Sequence, residues 1–176
     1  MVKKSLYYLI GILFFYSSIS LAENLNISGS LVNSPCKLLP SDSEVMIKFE
    51  NLILRELYEN TAGWEKKEFI IALSECDLSV GSSFKIKFTG DDSPNLKGYL
   101  ALDQEQFKNK LAIGIETDSG LFLPLNEKPS LIQIKNNGRN EIKFRAYLKP
   151  TAEAIANKNI PIGNFTAKVV FTLAYD

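Results

Sequence analysis

The chain has 176 residues, 45% of them hydrophobic, with 20 basic and 20 acidic side chains and no histidine. The charge is balanced and dispersed, so no basic block offers a surface for nucleic acid. The missing histidine excludes Ser-His-Asp and Cys-His catalysis and every zinc site that needs imidazole. With no nucleophile, base or metal-ligand cluster visible elsewhere, neither an enzyme nor a cofactor is expected.

In chain order, residues 1–22 read as a secretory signal peptide. Lys3 and Lys4 give a positive start, Leu6–Tyr16 (LYYLIGILFFY) is an apolar run, and Ser20 and Ala22 are small residues before a cleavage point. The run is too short for a membrane span. Cleavage after Ala22 leaves 154 residues, with 18 basic and 20 acidic side chains, enough for one domain with a real core. Residues 23–34 then form an arm. Leu25, Ile27, Gly29 and Leu31 share one face of an alternating segment; Asn24, Asn26, Ser28 and Ser30 share the other. Pro35 interrupts it just before Cys36.

The domain proper is read over residues 35–176. Val45, Ile47 and Phe49 alternate like a strand, and the polar stretch Arg55–Lys67 has room for a short helical turn before Gly63. Glu68–Cys76 (EFIIALSEC) is apolar on both faces, as a central strand would be. Phe84, Ile86 and Phe88 alternate with lysines. Thr89–Asn95 (TGDDSPN) has oxygen ligands for calcium but neither their regular alternation nor a closing glutamate, so it reads as a turn. Tyr99–Leu102 and the set Leu111, Ile113, Ile115 are further strands, the latter turning at Asp118–Gly120 toward LFLPL. Ile132 and Ile134 lead to Asn137-Gly138, a hairpin signal, and Ile142, Phe144, Ala146 and Leu148 alternate after it. Pro150–Pro161 reads as a loop with a helical turn.

The last segment, GNFTAKVVFTLAYD, carries the strongest alternation. Gly163, Phe165, Ala167, Val169, Phe171, Leu173 and Tyr175 share one face, and mostly polar residues share the other. Thirteen residues at about 3.3 Å each would make a strand of roughly 40 Å. Cys36 and Cys76 stand 40 residues apart, and in an exported chain such an even pair reads as one disulfide. Closing that loop is worth about 4 kcal/mol on a chain-entropy estimate. About eight short strands with turn chemistry between them describe an all-β, antiparallel, immunoglobulin-like sandwich with one disulfide.

These residues together resemble a pilin, a subunit of type 1 or P-like fimbriae assembled by the chaperone–usher pathway of Gram-negative bacteria. An alternating arm leads to the first cysteine (GSLVNSPC). The second closes a strand of the form F-x-I-x-L-x-x-C, present as FIIALSEC at Phe69–Cys76. LAIGIETDSGLFLPL resembles the family's middle hairpin. Gly163 is fourteenth from the last residue given and Tyr175 is penultimate; Asp176 departs slightly from the family's usual polar, neutral last residue.

The resemblance implies an incomplete sandwich that lacks its final strand. Gly163, Phe165, Ala167, Val169, Phe171, Leu173 and Tyr175 would line an acceptor groove that also binds the chaperone. Leu25, Ile27, Gly29 and Leu31 would be the donor strand for a neighbouring subunit. It implies as partners a periplasmic pilus chaperone, an outer-membrane usher and neighbouring fimbrial subunits, with export through the periplasm to a fimbrium on the cell surface and a contribution to cell adhesion. Period alone favours an ordinary strand of a complete sandwich; the matching arm and cysteine spacing favour the open groove. An alternative is a glycan-binding, pilin-like adhesin module.

Overall fold

The computed structural model describes residues 33–50, 52–59 and 64–175. Among the described residues, eight strands form two antiparallel sheets. In chain order they are β1 (Trp64–Cys76), β2 (Ser83–Gly90), β3 (Asp92–Ser93), β4 (Leu96–Ala101), β5 (Leu111–Thr117), β6 (Ser130–Gln133), β7 (Gly138–Pro150) and β8 (Val169–Ala174). The larger sheet has the order β1-β7-β5-β4-β3 and the smaller β6-β2-β8. Among the described residues, two short α-helices, α1 (Leu54–Glu59) and α2 (Ala152–Asn157), and a 3-10 turn at Pro40–Asp42 lie outside the sheets in sequence. The all-β sandwich expected from the strand pattern is therefore present.

Alternation builds the core between the sheets. β2 turns Phe84, Ile86 and Phe88 inward, β1 turns Phe69, Ile71 and Leu73 inward, and all six are buried. Phe144 of β7 is fully buried and joins the two layers. Its ring stacks on Phe69 at 5.5 Å and meets Phe88 edge-on at 5.6 Å. A second apolar cluster around Leu57, Leu102, Phe107, Leu148 and Ile160 fills one end, where α1 and α2 contribute. On the outer face, the carboxylate of Glu116 is only 6% exposed. It accepts hydrogen bonds from Lys66 at 2.7 and 3.0 Å and faces Arg145 at 3.6 Å, so one anion ties β1, β5 and β7 together.

Three expectations change. β1 is not a central strand: among the described residues it is the edge of the larger sheet. Its outer edge is covered near its end, where Lys37 and Ser74 exchange two 2.8 Å backbone hydrogen bonds. That cover lets both faces stay apolar there. Asn137-Gly138 does turn, with Gly138 at φ 84°, but β6 and β7 belong to different sheets, so this is a corner and not a hairpin. The buried Asn140 side chain holds it, accepting from the amides of Lys135 and Asn136 at 3.2 Å and donating to the Asn136 carbonyl at 2.7 Å. The third change concerns the last strand. Its ladder covers only Val169–Ala174, because β2, its partner, ends at Gly90 opposite Val169.

Asn140→Ala leaves three backbone groups at a buried corner without their partner. It is expected to lower stability by about 1–3 kcal/mol. A drop in the urea midpoint with unchanged slope checks this; an unchanged midpoint contradicts the role of the side chain.

Candidate functional site

β8 pairs with β2 on one edge, and among the described residues its other edge has no strand partner. Its inward set, Val169, Phe171, Leu173 and Tyr175, packs against the core but is only partly buried. The contrast with its neighbour is direct. Phe88 and Phe171 are cross-strand partners on the same face, yet Phe88 is 3% exposed and Phe171 stays partly open.

Glu44–Glu50 packs on the same core. Val45, Ile47 and Phe49 point to the core and are partly buried, while Met46, Lys48 and Glu50 are exposed. The strand-like alternation is real, but among the described residues no ladder includes this segment. It runs opposite in sense to the chain's last segment. Asp42 lies 3.7 Å from Arg139, near the start of β7, whereas the Phe49 ring stands 6.1 Å from Phe165. Two extended walls with apolar inner faces thus rest on one core and meet at Phe49 and Phe165. Periodicity marks both; only the fold shows that they share that core and meet there.

At the Phe165 end the groove opens into an apolar cavity of about 110 Å³, lined among others by Leu52, Ile53, Trp64, Phe107 and Ile162. Ile162 is 87% and Ile53 50% exposed, so apolar surface continues outside. Gly163 borders this cavity at φ 154°, where a Cβ would stand 2.9 Å from the Gln106 amide nitrogen. The flexible Gln106 side chain could move aside, but the φ is one that side-chain-bearing residues rarely adopt, so a substitution there is strained. Thr166 then anchors the wall: its carbonyl accepts from the Asp103 amide at 2.8 Å and its amide donates to the Gln104 side chain at 2.9 Å. Ala167 continues this partly buried face to Val169.

At the opposite end stands Tyr175, its ring 6.3 Å from Phe84. Burial raises its hydroxyl above the usual phenol pKa, opposed by a hydrogen bond with the Ser34 side chain. Ser34 belongs to the root of the N-terminal arm. Cys36 and Cys76 form the expected disulfide, and the Asp77 amide donates to the Pro35 carbonyl at 2.8 Å, so this root is fixed to the body. The expected donor residues Leu25, Ile27, Gly29 and Leu31 lie outside the described residues. Among its described residues the site holds no catalytic constellation, and its chemistry is that of apolar contact and backbone pairing.

A model of the family described as "Fimbrial protein" matches residues 25–176. The chain belongs to that family. It is a structural fimbrial subunit and not an enzyme, built on the immunoglobulin-like sandwich of pilins. Among relatives, it is 28% identical to the fimbrial-like protein YfcP of Escherichia coli K12, over 87% of this chain and 83% of that one. It is 27% identical to the major MR/P fimbria protein of Proteus mirabilis, over 84% and 80%. It is 24% identical to the fimbrial adapter PapK of Escherichia coli, over 94% and 97%. The fold is shared with the P pilus rod subunit PapA, at a TM-score of 0.66 and 20% identity, over 81% of this chain and all of that one.

The pair Phe88 and Phe171 supplies a test of the open wall. Phe88→Ala is expected to cost about 3–5 kcal/mol, like a fully packed core ring. Phe171→Ala in the isolated subunit should cost only about 1–2 kcal/mol, because less area leaves water. Equal losses in chemical denaturation would mean that the groove is already filled.

Proposed function

We propose that the groove between Glu44–Glu50 and Gly163–Tyr175 is an acceptor site for one β-strand from another molecule, and that this subunit joins its fimbria by strand donation. The observation that carries the reading is the half-buried apolar face of β8 beside an edge with no described partner. An inserted strand would pair with that edge and bury Phe165, Ala167, Val169, Phe171, Leu173 and Tyr175 on its inner side. The same strand would meet Val45, Ile47 and Phe49 of the facing wall.

In this reading residues 1–22 are a cleaved signal and residues 23–34 the donor arm of the domain at 35–176. Leu25, Ile27 and Leu31 enter the groove of a neighbouring subunit, and Gly29 allows close backbone approach. A periplasmic chaperone occupies the groove first, and an outer-membrane usher exchanges its strand for a neighbour's arm. An unpaired apolar edge is an aggregation hazard in water, which is the physical reason for such a holder. The subunit ends in a fimbrium on the bacterial surface and contributes to adhesion as part of the fibre.

Deleting Glu23–Val32 should leave a subunit that accepts a strand but cannot donate one. It is expected to cap fibres and to be missing from internal positions, read by the length of fibres assembled with mixed subunits. Internal incorporation of the deleted form would sink the idea. Gly29→Leu keeps the arm but adds bulk at its centre. It should slow exchange into a neighbouring groove by at least about tenfold, a loss of about 1.4 kcal/mol in the barrier; exchange at the wild-type rate would count against Gly29 facing the groove.

A further inference from the structure

The corner between β6 and β7 carries a chemistry of its own. Asn137-Gly138 is the only asparagine–glycine pair in the sequence, and every other asparagine is followed by a residue that bears a side chain. Both residues are exposed. Gly138 holds φ 84°, and the place where a Cβ would stand is empty to 4 Å. The Gly138 amide nitrogen thus lies next to the Asn137 side chain with no bulk of its own in the way.

Asn137 is also held from a second segment. The backbone amide of Leu78, in the turn between β1 and β2, donates to Asn137 Oδ1 at 2.8 Å. That turn is itself fixed. The Val80 amide donates to the Asp77 carbonyl at 3.1 Å, and the Ser79 amide donates to the Asp77 carboxylate at 2.9 Å. An N–H aimed at a carbonyl oxygen makes the carbon more electrophilic and stabilises negative charge that develops on the oxygen.

We infer that Asn137 is a site of spontaneous modification, converted in the folded subunit to aspartate and isoaspartate with the Leu78 amide as the oxyanion donor. The Gly138 amide nitrogen, its proton taken by hydroxide, attacks Asn137 Cγ. Negative charge passes to Oδ1, where the Leu78 N–H already lies. The Cγ–Nδ2 bond then breaks, the nitrogen leaves as ammonia with a proton from water, and a cyclic imide joins residues 137 and 138. Water opens that ring. Breaking the new Cγ–N bond gives aspartate; breaking the backbone C–N bond gives isoaspartate. Overall one water enters, one ammonia leaves, and nothing is oxidised or reduced.

The products differ in what they do to the corner. Aspartate keeps an oxygen for the Leu78 N–H and adds a negative charge. Isoaspartate routes the main chain through the side-chain carbon and so adds a methylene just before Gly138. There β7 begins, Gly138 pairs with Cys76 of β1, and Asn140 holds the amides of Lys135 and Asn136. An added backbone atom displaces these partners. A subunit that stays in a fibre long after synthesis thus gains charge and loses order at this corner with age.

The test keeps purified subunit, disulfide intact, at mildly alkaline pH and digests it at intervals. Mass spectrometry reads amide loss peptide by peptide, and an isoaspartate methyltransferase labels the isoaspartate. Residue 137 should convert ahead of every other asparagine, at a rate proportional to hydroxide. Asn137→Gln, whose longer side chain disfavours the ring, should abolish the change. Leu78→Pro puts proline at the second position of the Asp77–Val80 turn, where it is favoured, and removes the N–H. It should slow conversion about tenfold, the worth of one hydrogen bond in the barrier. Leu78→Ala truncates the same side chain but keeps the N–H, and should convert at the wild-type rate. Near-UV circular dichroism checks that each variant is folded. If Leu78→Pro does not fold, the Leu78 amide resonance of the wild-type chain decides, and should move in step with the mass change. Earlier conversion of another asparagine, a wild-type rate in folded Leu78→Pro, or a fixed Leu78 resonance while residue 137 converts overturns the inference.

Discussion

Everything distinctive about this subunit depends on one hydrogen-bonding edge. Backbone amides and carbonyls are strong polar groups that must find partners when apolar surface closes around them. β8 satisfies one edge against β2, through a register that runs from Lys85↔Ala174 to Gly90↔Val169. Its second edge has no strand beside it among the described residues, and the side chains on its inner face are correspondingly half-covered. The two deficits have one origin. A strand inserted there would supply backbone partners and apolar cover together, and neither a ligand of only polar groups nor a greasy molecule without a backbone would supply both.

An unfinished sheet keeps its shape only if the rest of the body is rigid without it. Phe144 bridges Phe69 and Phe88 across the two sheets, so the core is closed independently of β8's open edge. The disulfide and the Lys37–Ser74 pairing fix the start of the facing wall, and Phe49 meets Phe165 near its end. Gly163 and the Thr166 anchors set where the second wall leaves the body. Both walls are therefore positioned by contacts at their ends and not through β8's second edge.

Much of this was legible from residue order. Period two identified Phe84, Ile86 and Phe88 and the inner face of Phe165–Tyr175, because burying one face of a strand imposes that pattern whatever the partner. The cysteine pair and the arm placed the chain in its family before any coordinates. What failed was partnership. Val45, Ile47 and Phe49 alternate as a ladder strand does, yet among the described residues no ladder includes them, and alternation reports which face is apolar and not what lies beside it. Asn137-Gly138 has hairpin chemistry, but the neighbouring Asn140 ties the turn into a corner between sheets. β1 looked central because both faces are apolar near its end, where Lys37 lies against its edge. The cavity had no sequence signal, since Leu52, Trp64, Phe107 and Ile162 come from four separate segments.

The cavity also bears on what the groove would take in. Phe165 lines it together with Trp64 and Phe107, and beside them Ile53 and Ile162 remain 50% and 87% exposed. On the proposed reading, a strand that stopped at Val169 would leave this end uncovered, whereas one that ran on past Phe165 would cover more apolar surface and gain accordingly. The length of the inserted strand would then matter as much as the spacing of its side chains.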